Sequence, residues 1–171
     1  DRAESGHATQ VIELDTNCAQ ALLTMHPDVV FPALHGPPGE DGTVQGLLEM
    51  LHLPYVGSGV RGSALAMDKA IAKSVFIRRG LPACEDVIVH PSDDLFDAAE
   101  TIQAKLGPCI ALKPLNQGSA IGVQLLPTGG NIAAALKATI EYGSCLVEPY
   151  IEGREMTCLL YTSDAADDCR C

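Results

Sequence analysis

The 171-residue sequence is poor in basic side chains, with 11 lysines and arginines against 22 aspartates and glutamates, and its formal net charge is −11. Proteins that bind nucleic acid or anionic membranes need clustered lysine and arginine, so this composition argues against both functions. No apolar run is long enough to cross a bilayer, and we expect no signal peptide, because the sequence does not open with a basic region followed by an apolar one. Any anion site must therefore be local, built from a few lysines and backbone N–H groups.

The seven cysteines show no metal-ligand spacing. Cys169 and Cys171 are separated by one residue, which is too close for an ordinary zinc pair. The other five stand alone: Cys18, Cys84, Cys109, Cys145 and Cys158. We therefore expect buried free thiols in a reducing cytoplasm and no metal site among the cysteines and histidines.

The first part of the chain predicts alternating strands and helices. The expected elements are a strand at 9–14, a helix at 16–25, a buried strand at 28–34, a loop at 35–42 and an amphipathic helix from Val44 to Leu51. A strand, a glycine-rich loop and a helix in this order can present N–H groups to an anionic ligand. The short strand and glycines at 54–59 indicate a domain boundary.

A second unit is expected from Ser63 onwards. Asp68 is predicted to cap a helix that ends at Arg79 and Gly80. Its apolar residues form one stripe: Ile71, Ala72, Val75 and Phe76. The further predicted elements are a strand at 86–90, a helix capped by Ser92 and closed by Gly107, a helix capped by Asn131, and strands at 145–151 and 154–160.

The stretch from Ala111 to Val123 predicts a strand, a flexible loop and a second strand. Lys113 ends the first strand beside a glycine-containing loop, where a lysine charge and loop N–H groups can hold phosphate. The pattern is not a Walker P-loop, because it lacks G-x-x-x-x-G-K-[ST]. Taken alone, an ordinary hairpin with a solvated lysine explains the stretch equally well.

Three motifs point beyond these local patterns. The first joins His35-Gly36 to the run from Gly39 to Gly46, and the second joins residues 55–59 to Met67-Asp68-Lys69. The third contains Lys113-Pro114, Gly118-Ser119 and Gly122-Val123. In this order, and followed by a strand with Glu148, they resemble the substrate loop, nucleotide lysine and phosphate-covering loop of D-alanine–D-alanine ligases, a family of the ATP-grasp superfamily.

The resemblance implies a fold class and a domain division. The fold would combine an α/β N-terminal remnant with an α+β ATP-grasp central domain and a truncated C-terminal ATP-grasp domain. Residues 1–62 would end the N-terminal substrate domain, 63–147 would form the central domain and 148–160 would begin the C-terminal domain. Residues 161–171 break the strand pattern and look like a non-native tail.

The resemblance also implies residue roles toward ATP. Lys69 and Lys113 would bind the phosphates, and Gly118 and Gly122 would let the loop fold over them. Ser119, as the catalytic residue, would donate to the transferring phosphate or to the substrate. The adenine and ribose would be bound by Glu148, Glu155 and the backbone of Pro149 and Ile151. Each residue also has a structural explanation, such as a surface lysine, a turn serine or a salt-bridged glutamate.

D-Alanine is the implied partner, and His35, Gly36, Gly39 and Glu40 would lie beside the first D-alanine. ATP would phosphorylate its carboxylate, and the amine of a second D-alanine would displace the phosphate. The parent protein would make a peptidoglycan precursor in the cytoplasm, and the full-length protein could form a homodimer.

This sequence departs from the family at Ala120, where a second serine is usual. The Mg²⁺ ligands are expected outside this chain, so we predict that the chain alone is inactive. The alternatives are a D-alanine–D-lactate ligase, another ATP-grasp carboxylate–amine ligase, and a nucleotide-binding module without catalysis.

Overall fold

A four-stranded antiparallel sheet is the centre of the fold in the computed structural model, which describes residues 6–154. The helices are α1 (Cys18–Met25), α2 (Thr43–Met50), α3 (Val60–Met67), α4 (Lys69–Arg78), α5 (Leu95–Leu106) and α6 (Ile132–Ile140). The strands are β1 (Val87–Val89), β2 (Ile110–Pro114), β3 (Gln124–Leu126) and β4 (Cys145–Pro149). The strand order is β1-β4-β2-β3, so β2 and β4 are the central pair.

The register of β2 and β4 separates the two faces of the sheet. Lys113 lies opposite Leu146, and Ala111 lies opposite Glu148. Because side chains alternate along a strand, residues two apart share a face. Lys113 and Glu148 therefore project from the same face of the central pair, while their strand neighbours project from the other.

Helices α5 and α6 cover the other face and form the core with it. The core cluster consists of Val89, Ile102, Ile110, Leu112, Ile132, Ala135, Leu136, Cys145 and Val147. Ile110, Leu112, Leu136, Cys145 and Val147 have no exposed surface. Helices packed on one face of an antiparallel sheet define an α+β architecture. Lys113 and Glu148 lie on the opposite face, away from α5 and α6.

Side-chain caps begin three of the six helices, and a glycine ends one of them. Asp68 caps α4 as predicted, accepting from the backbone N–H groups of Ala70 and Ile71 at 2.9 and 3.0 Å. Asn131 caps α6 by accepting from Ala134 N, and Gly107 ends α5. The prediction that Ser92 caps α5 was wrong, because Asp94 accepts from the first-turn N–H groups. A carboxylate closer to the helix start supplies the same bond.

The first part of the chain contains fewer strands than predicted. Residues 9–14 form no strand, and within 28–34 only Val30 forms a β-bridge, to Tyr55. Val11 and Val29 are 87% and 56% exposed, so these segments lack the covered face that the apolar pattern predicted. A strand requires a neighbour for its N–H and C=O groups, and residues 6–154 supply one only at Val30.

The division into domains stays a prediction. The boundary after residue 62 falls within α3, and the boundary after residue 147 falls within β4. The predicted tail at 161–171 and all but the first residue of the predicted strand at 154–160 lie outside the described residues. Within residues 6–154, no helix is both long enough and apolar enough to cross a membrane.

Candidate functional site

Glu148 is the centre of a cluster of charged side chains on the face of the sheet opposite α5 and α6. Lys113 Nζ donates to Glu148 Oε2 at 2.9 Å, and Lys73 Nζ donates to Glu148 Oε1 at 2.7 Å. Lys73 also lies 3.4 Å from Asp86 Oδ1, just before β1. Lys113 and Glu148 are diagonal neighbours across β2 and β4, a separation that long side chains can span.

The two lysines control the ionisation of Glu148. Burial alone would raise the pKa of Glu148, but the hydrogen bonds and charges of Lys73 and Lys113 outweigh it, so the pKa is below its ordinary value. Burial opposes the charge of Lys73, but Glu148 and Asp86 reverse that effect and raise its pKa. Glu148 and Lys73 are therefore both charged at neutral pH.

Lys69 lies at the start of α4, and its ammonium group is surrounded by backbone carbonyls. Lys69 Nζ donates to Pro114 O at 2.9 Å, to Leu115 O at 3.3 Å and to Gln117 O at 2.6 Å. Burial lowers the pKa of Lys69, and the nearby charge of Lys113 lowers it further. Lys69 therefore joins α4 to the root of the glycine loop, and its ammonium lies near that of Lys113.

The glycine loop, residues 116–123, contains two consecutive turns. Ile121 N donates to Gly118 O at 3.0 Å, and Val123 N donates to Ala120 O at 3.2 Å. Ser119, Ala120 and Gly122 have positive φ values of 51°, 58° and 69°. Such φ values are unfavourable for residues with a Cβ. Ser119 and Ala120 therefore hold a strained backbone at the exposed tip of the loop.

The substrate loop, residues 35–42, reaches the glycine loop. Glu40 Oε2 accepts from Gly36 N at 2.6 Å, and a Cβ placed on Gly118 would lie 3.7 Å from the same oxygen. Gly39 is buried against Leu34, where a Cβ would overlap that side chain. His35 is exposed. The structure thus brings the predicted substrate loop next to the predicted phosphate-covering loop.

The remaining predicted residues follow β4. Pro149 ends the strand opposite Ile110, and Ile151 is 67% exposed beyond it. Glu155 lies outside the described residues. Within residues 6–154, no group of three or more histidine, cysteine or acidic side chains is placed to hold a metal ion.

The sequence analysis did not identify Lys73, Asp86 or Gln45. Gln45 Nε2 donates to Gly39 O at 2.8 Å and connects α2 to the substrate loop. Lys73 follows Lys69 by four residues, which places both on one side of α4. That spacing was the available signal for Lys73. Gln45 lay within the first motif without an assigned role, and Asp86 carried no comparable signal.

A glycine loop, two neighbouring lysines and a carboxylate at the end of a sheet are typical of a nucleotide-binding site. The comparisons agree with such an enzyme class. Family models described as the N-terminus and the C-terminus of D-Ala D-Ala ligase match residues 3–58 and 75–169. The chain belongs to the D-alanine–D-alanine ligase family.

Three individual proteins illustrate the similarity. A D-alanine–D-alanine ligase from Granulibacter bethesdensis is 45% identical over 90% of this chain and 49% of its own length. The solved ligase from Coxiella burnetii is 36% identical, with a TM-score of 0.67, over 74% of this chain and 38% of that one. The VanG D-Ala:D-Ser ligase from Enterococcus faecalis is 34% identical, with a TM-score of 0.66, over 74% and 37%. The chain spans about half the length of the curated relatives it matches.

Proposed function

We propose that the full-length protein containing this chain joins two D-alanines at the expense of ATP, for peptidoglycan synthesis. The observation that carries this proposal is the close approach of the substrate loop to the glycine loop, where a Cβ on Gly118 would lie 3.7 Å from Glu40 Oε2. Lys69 and Lys113 lie at the root of that glycine loop. A phosphoryl donor held by the lysines would then lie beside a carboxylate acceptor held by the substrate loop.

We also propose the nucleotide roles that the family resemblance implies. Lys113 and Lys69 supply two neighbouring positive charges for the phosphates. Glu148 accepts from the adenine amino group, while Pro149 and Ile151 offer backbone groups and Glu155 binds the ribose. Gly118 and Gly122 allow the loop to approach the phosphates, and the Ser119 hydroxyl at its tip donates to the transferring phosphate or the substrate.

The proposed chemistry has two steps. The carboxylate of the first D-alanine attacks the terminal phosphorus, the bond to the bridging oxygen breaks, and ADP leaves. The amine of the second D-alanine then attacks the acyl carbon, loses a proton, and expels inorganic phosphate. Positioning and charge neutralisation provide the catalysis of such a transfer. The lysines and glycine loop stabilise the phosphoryl group, and His35, Gly36, Gly39 and Glu40 position the first D-alanine.

Mg²⁺ would neutralise part of the phosphate charge in this reaction. It requires oxygen ligands in an octahedral arrangement. The acidic side chains of the site do not fit this role, because Glu148 is engaged by two lysines and Asp86 by one. We place the magnesium ligands outside residues 6–154, and no step proposed here depends on them. The expectations of a cytoplasmic location and of a homodimer belong to the full-length protein.

The second substrate is the part of the proposal with a supported alternative. The structure of a D-Ala:D-Ser ligase matches this chain with a TM-score of 0.66, against 0.67 for the ligase from Coxiella burnetii. The matched part of the chain, 74% in each comparison, therefore fits ligases with different second substrates equally well. D-Lactate, another amine, and nucleotide binding without catalysis are the remaining alternatives.

Phosphate release by the full-length protein tests the proposal. ATP and D-alanine together should release phosphate and form a dipeptide detectable by mass spectrometry, with D-serine and D-lactate as competing second substrates. Lys113→Met should lower kcat/KM by about a hundredfold, because it removes a charge at the phosphates. The exposed Lys137 of α6, changed to Met, is the matched control and should leave the rate unchanged.

ATP binding without any D-alanine-dependent phosphate release would support the non-catalytic alternative. Preference for D-serine or D-lactate would replace D-alanine as the second substrate only. The prediction that the 171-residue chain alone is inactive is tested in the same assay.

A further inference from the structure

We propose that Lys73, held by Asp86, is the permanent counterion of Glu148 and positions its carboxylate for the base of the nucleotide, whereas Lys113 pairs with Glu148 only until phosphate binds. This inference rests on the proposed function. It assigns a base-selecting role to a lysine that is not itself expected to touch the nucleotide. Lys73 is therefore a positioning residue.

The two lysines on Glu148 differ in how firmly they are held. The Lys73 side chain is 10% exposed and lies between two carboxylates, at 2.7 Å from Glu148 and 3.4 Å from Asp86. The Lys113 side chain is 35% exposed and has one carboxylate partner, Glu148, at 2.9 Å. When an anion enters beside the glycine loop, Lys113 is the lysine that is free to turn toward it.

The orientation of α4 shows that burial of Lys73 is a specific feature of the fold. Lys73 is the buried residue of this helix, while Ile71, Val75, Phe76 and Ile77 are exposed. Burying a lysine is unfavourable unless its charge is paired. The helix therefore directs a cation, rather than its apolar stripe, at Glu148 and Asp86.

The acceptor capacity of Glu148 makes the exchange of partners possible. A carboxylate offers about four lone-pair sites on two oxygens. Lys73 occupies a site on Oε1, and Lys113 occupies one on Oε2. After Lys113 turns away, Oε2 can accept from the exocyclic amino group of adenine. A base with a carbonyl group at that position would place an acceptor against the carboxylate oxygen, so no hydrogen bond could form between them.

Lys73 maintains the preference of Glu148 for an amino group after Lys113 has turned away. The Glu148 side chain is 16% exposed, so an unpaired carboxylate there would be desolvated. Without Lys73, the carboxyl group can take up a proton or rotate toward solvent. A protonated carboxyl group can donate to a carbonyl, so the preference for an amino group would disappear.

Binding of ATP and of inosine triphosphate (ITP) to the full-length protein tests the inference. The two nucleotides differ at one edge of the base: ATP has an amino group at position 6 and an acceptor at N1, whereas ITP has a carbonyl group at position 6 and an N1–H donor. Wild type should prefer ATP. Lys73→Met should reduce the ATP-to-ITP affinity ratio by about tenfold or more, the loss expected for one charge-assisted hydrogen bond. Lys73→Arg should retain most of the ratio, and the control Lys137→Met, at an exposed position of α6, should retain all of it.

A cycle with Glu148→Gln separates positioning from a general structural effect. If Lys73 acts through Glu148, adding Lys73→Met to Glu148→Gln should change the ratio by less than about twofold. Should Lys73→Met fail to fold by circular dichroism, Asp86→Asn decides, because it keeps Lys73 and should lower the ratio severalfold.

The inference is overturned if Lys73→Met weakens ATP and ITP equally, or if its effect persists in Glu148→Gln. An unchanged ratio in Asp86→Asn would overturn the role of Asp86 as the anchor. If wild type prefers ATP but Lys73→Met leaves the ATP-to-ITP affinity ratio unchanged, the inference fails and the proposed function stands. A wild-type protein that binds no ATP overturns both.

Discussion

The helix cap at Asp68 should affect both stability and nucleotide binding, whereas the equivalent cap at Asp94 should affect stability alone. Asp68 accepts two backbone N–H bonds at 2.9 and 3.0 Å at the start of α4. Asp94 accepts two at 2.8 and 3.1 Å at the start of α5. The two caps are geometrically matched. Only α4 carries Lys69 and Lys73.

The expected changes in stability and in ATP affinity follow from the free energy that an N-cap contributes. Replacement of an N-cap aspartate by alanine costs about 1 kcal/mol of stability, within a range of roughly 0.5–2. Asp68→Ala and Asp94→Ala should therefore lower the free energy of unfolding by similar amounts. If the first turn of α4 frays in the free protein and must re-form around ATP, binding loses the same 1 kcal/mol, about fivefold in Kd. Asp94→Ala should leave Kd unchanged.

Urea unfolding followed by circular dichroism gives the stability, and isothermal titration gives the ATP affinity. Asp68→Asn separates the cap from the charge, because asparagine caps as well as aspartate but carries no charge. It should retain both stability and affinity. The role of the Asp68 cap in ATP binding is refuted if Asp68→Ala and Asp94→Ala weaken binding equally, or if Asp68→Asn weakens it as much as Asp68→Ala.

Three further changes test the core, the glycine loop and the charged cluster. Leu136→Ala, at a site with no exposed surface, should cost about 2–5 kcal/mol in urea unfolding, against less than about 1 kcal/mol for the 54% exposed Leu125→Ala. Gly122→Ala should cost about 1–2 kcal/mol and weaken ATP binding, because φ is 69° and the new Cβ would lie 2.5 Å from the Tyr142 ring. The pKa of Glu148 is lower in the folded protein than its ordinary value of 4.5, so ionised Glu148 stabilises the fold above pH 4.5. This stability is lost as the pH falls through the lower, folded pKa. The free energy of unfolding of Glu148→Gln should therefore depend less on pH in that acid range.

Much of the second unit was predictable because its signals are local. Asp68 and Asn131 cap the helices that follow them, and Gly107 ends α5, as the sequence indicated. Strands β2 and β4 coincide with apolar runs that were predicted as strands. Caps and short apolar runs act within a few residues, so a sequence pattern contains them.

Apart from the Ser92 cap, which was displaced by the nearby Asp94, the predictions that failed depend on contacts between distant segments. An apolar segment such as 9–14 becomes a strand only when a neighbour pairs with it, and residues 6–154 provide none. On α4, periodicity identified an apolar stripe but not which side faces the sheet. The buried side is set by Lys73, whose partner Glu148 lies 75 residues further along the chain.

In the candidate site, too, local signals were predictable and contacts between distant segments were not. Motif spacing identified Lys69, Lys113 and Glu148 as separate residues, but not the present partners of the two phosphate lysines. Lys113 is paired with Glu148, and Lys69 is bonded to three carbonyls at the root of the glycine loop. These contacts depend on strand register and on the packing of α4, neither of which a single sequence determines.

Strand register connects the stability of this fold to its proposed chemistry. The pairing of β2 with β4 places Ile110, Leu112 and Val147 in the core, and the same pairing sets Lys113 diagonal to Glu148 on the opposite face. A slip of one residue would move the side chains of a strand to the other face. It would bury a charge among α5 and α6 and expose a core side chain, both of which are unfavourable. The packing that stabilises the core therefore also excludes the registers in which Lys113 and Glu148 could not meet.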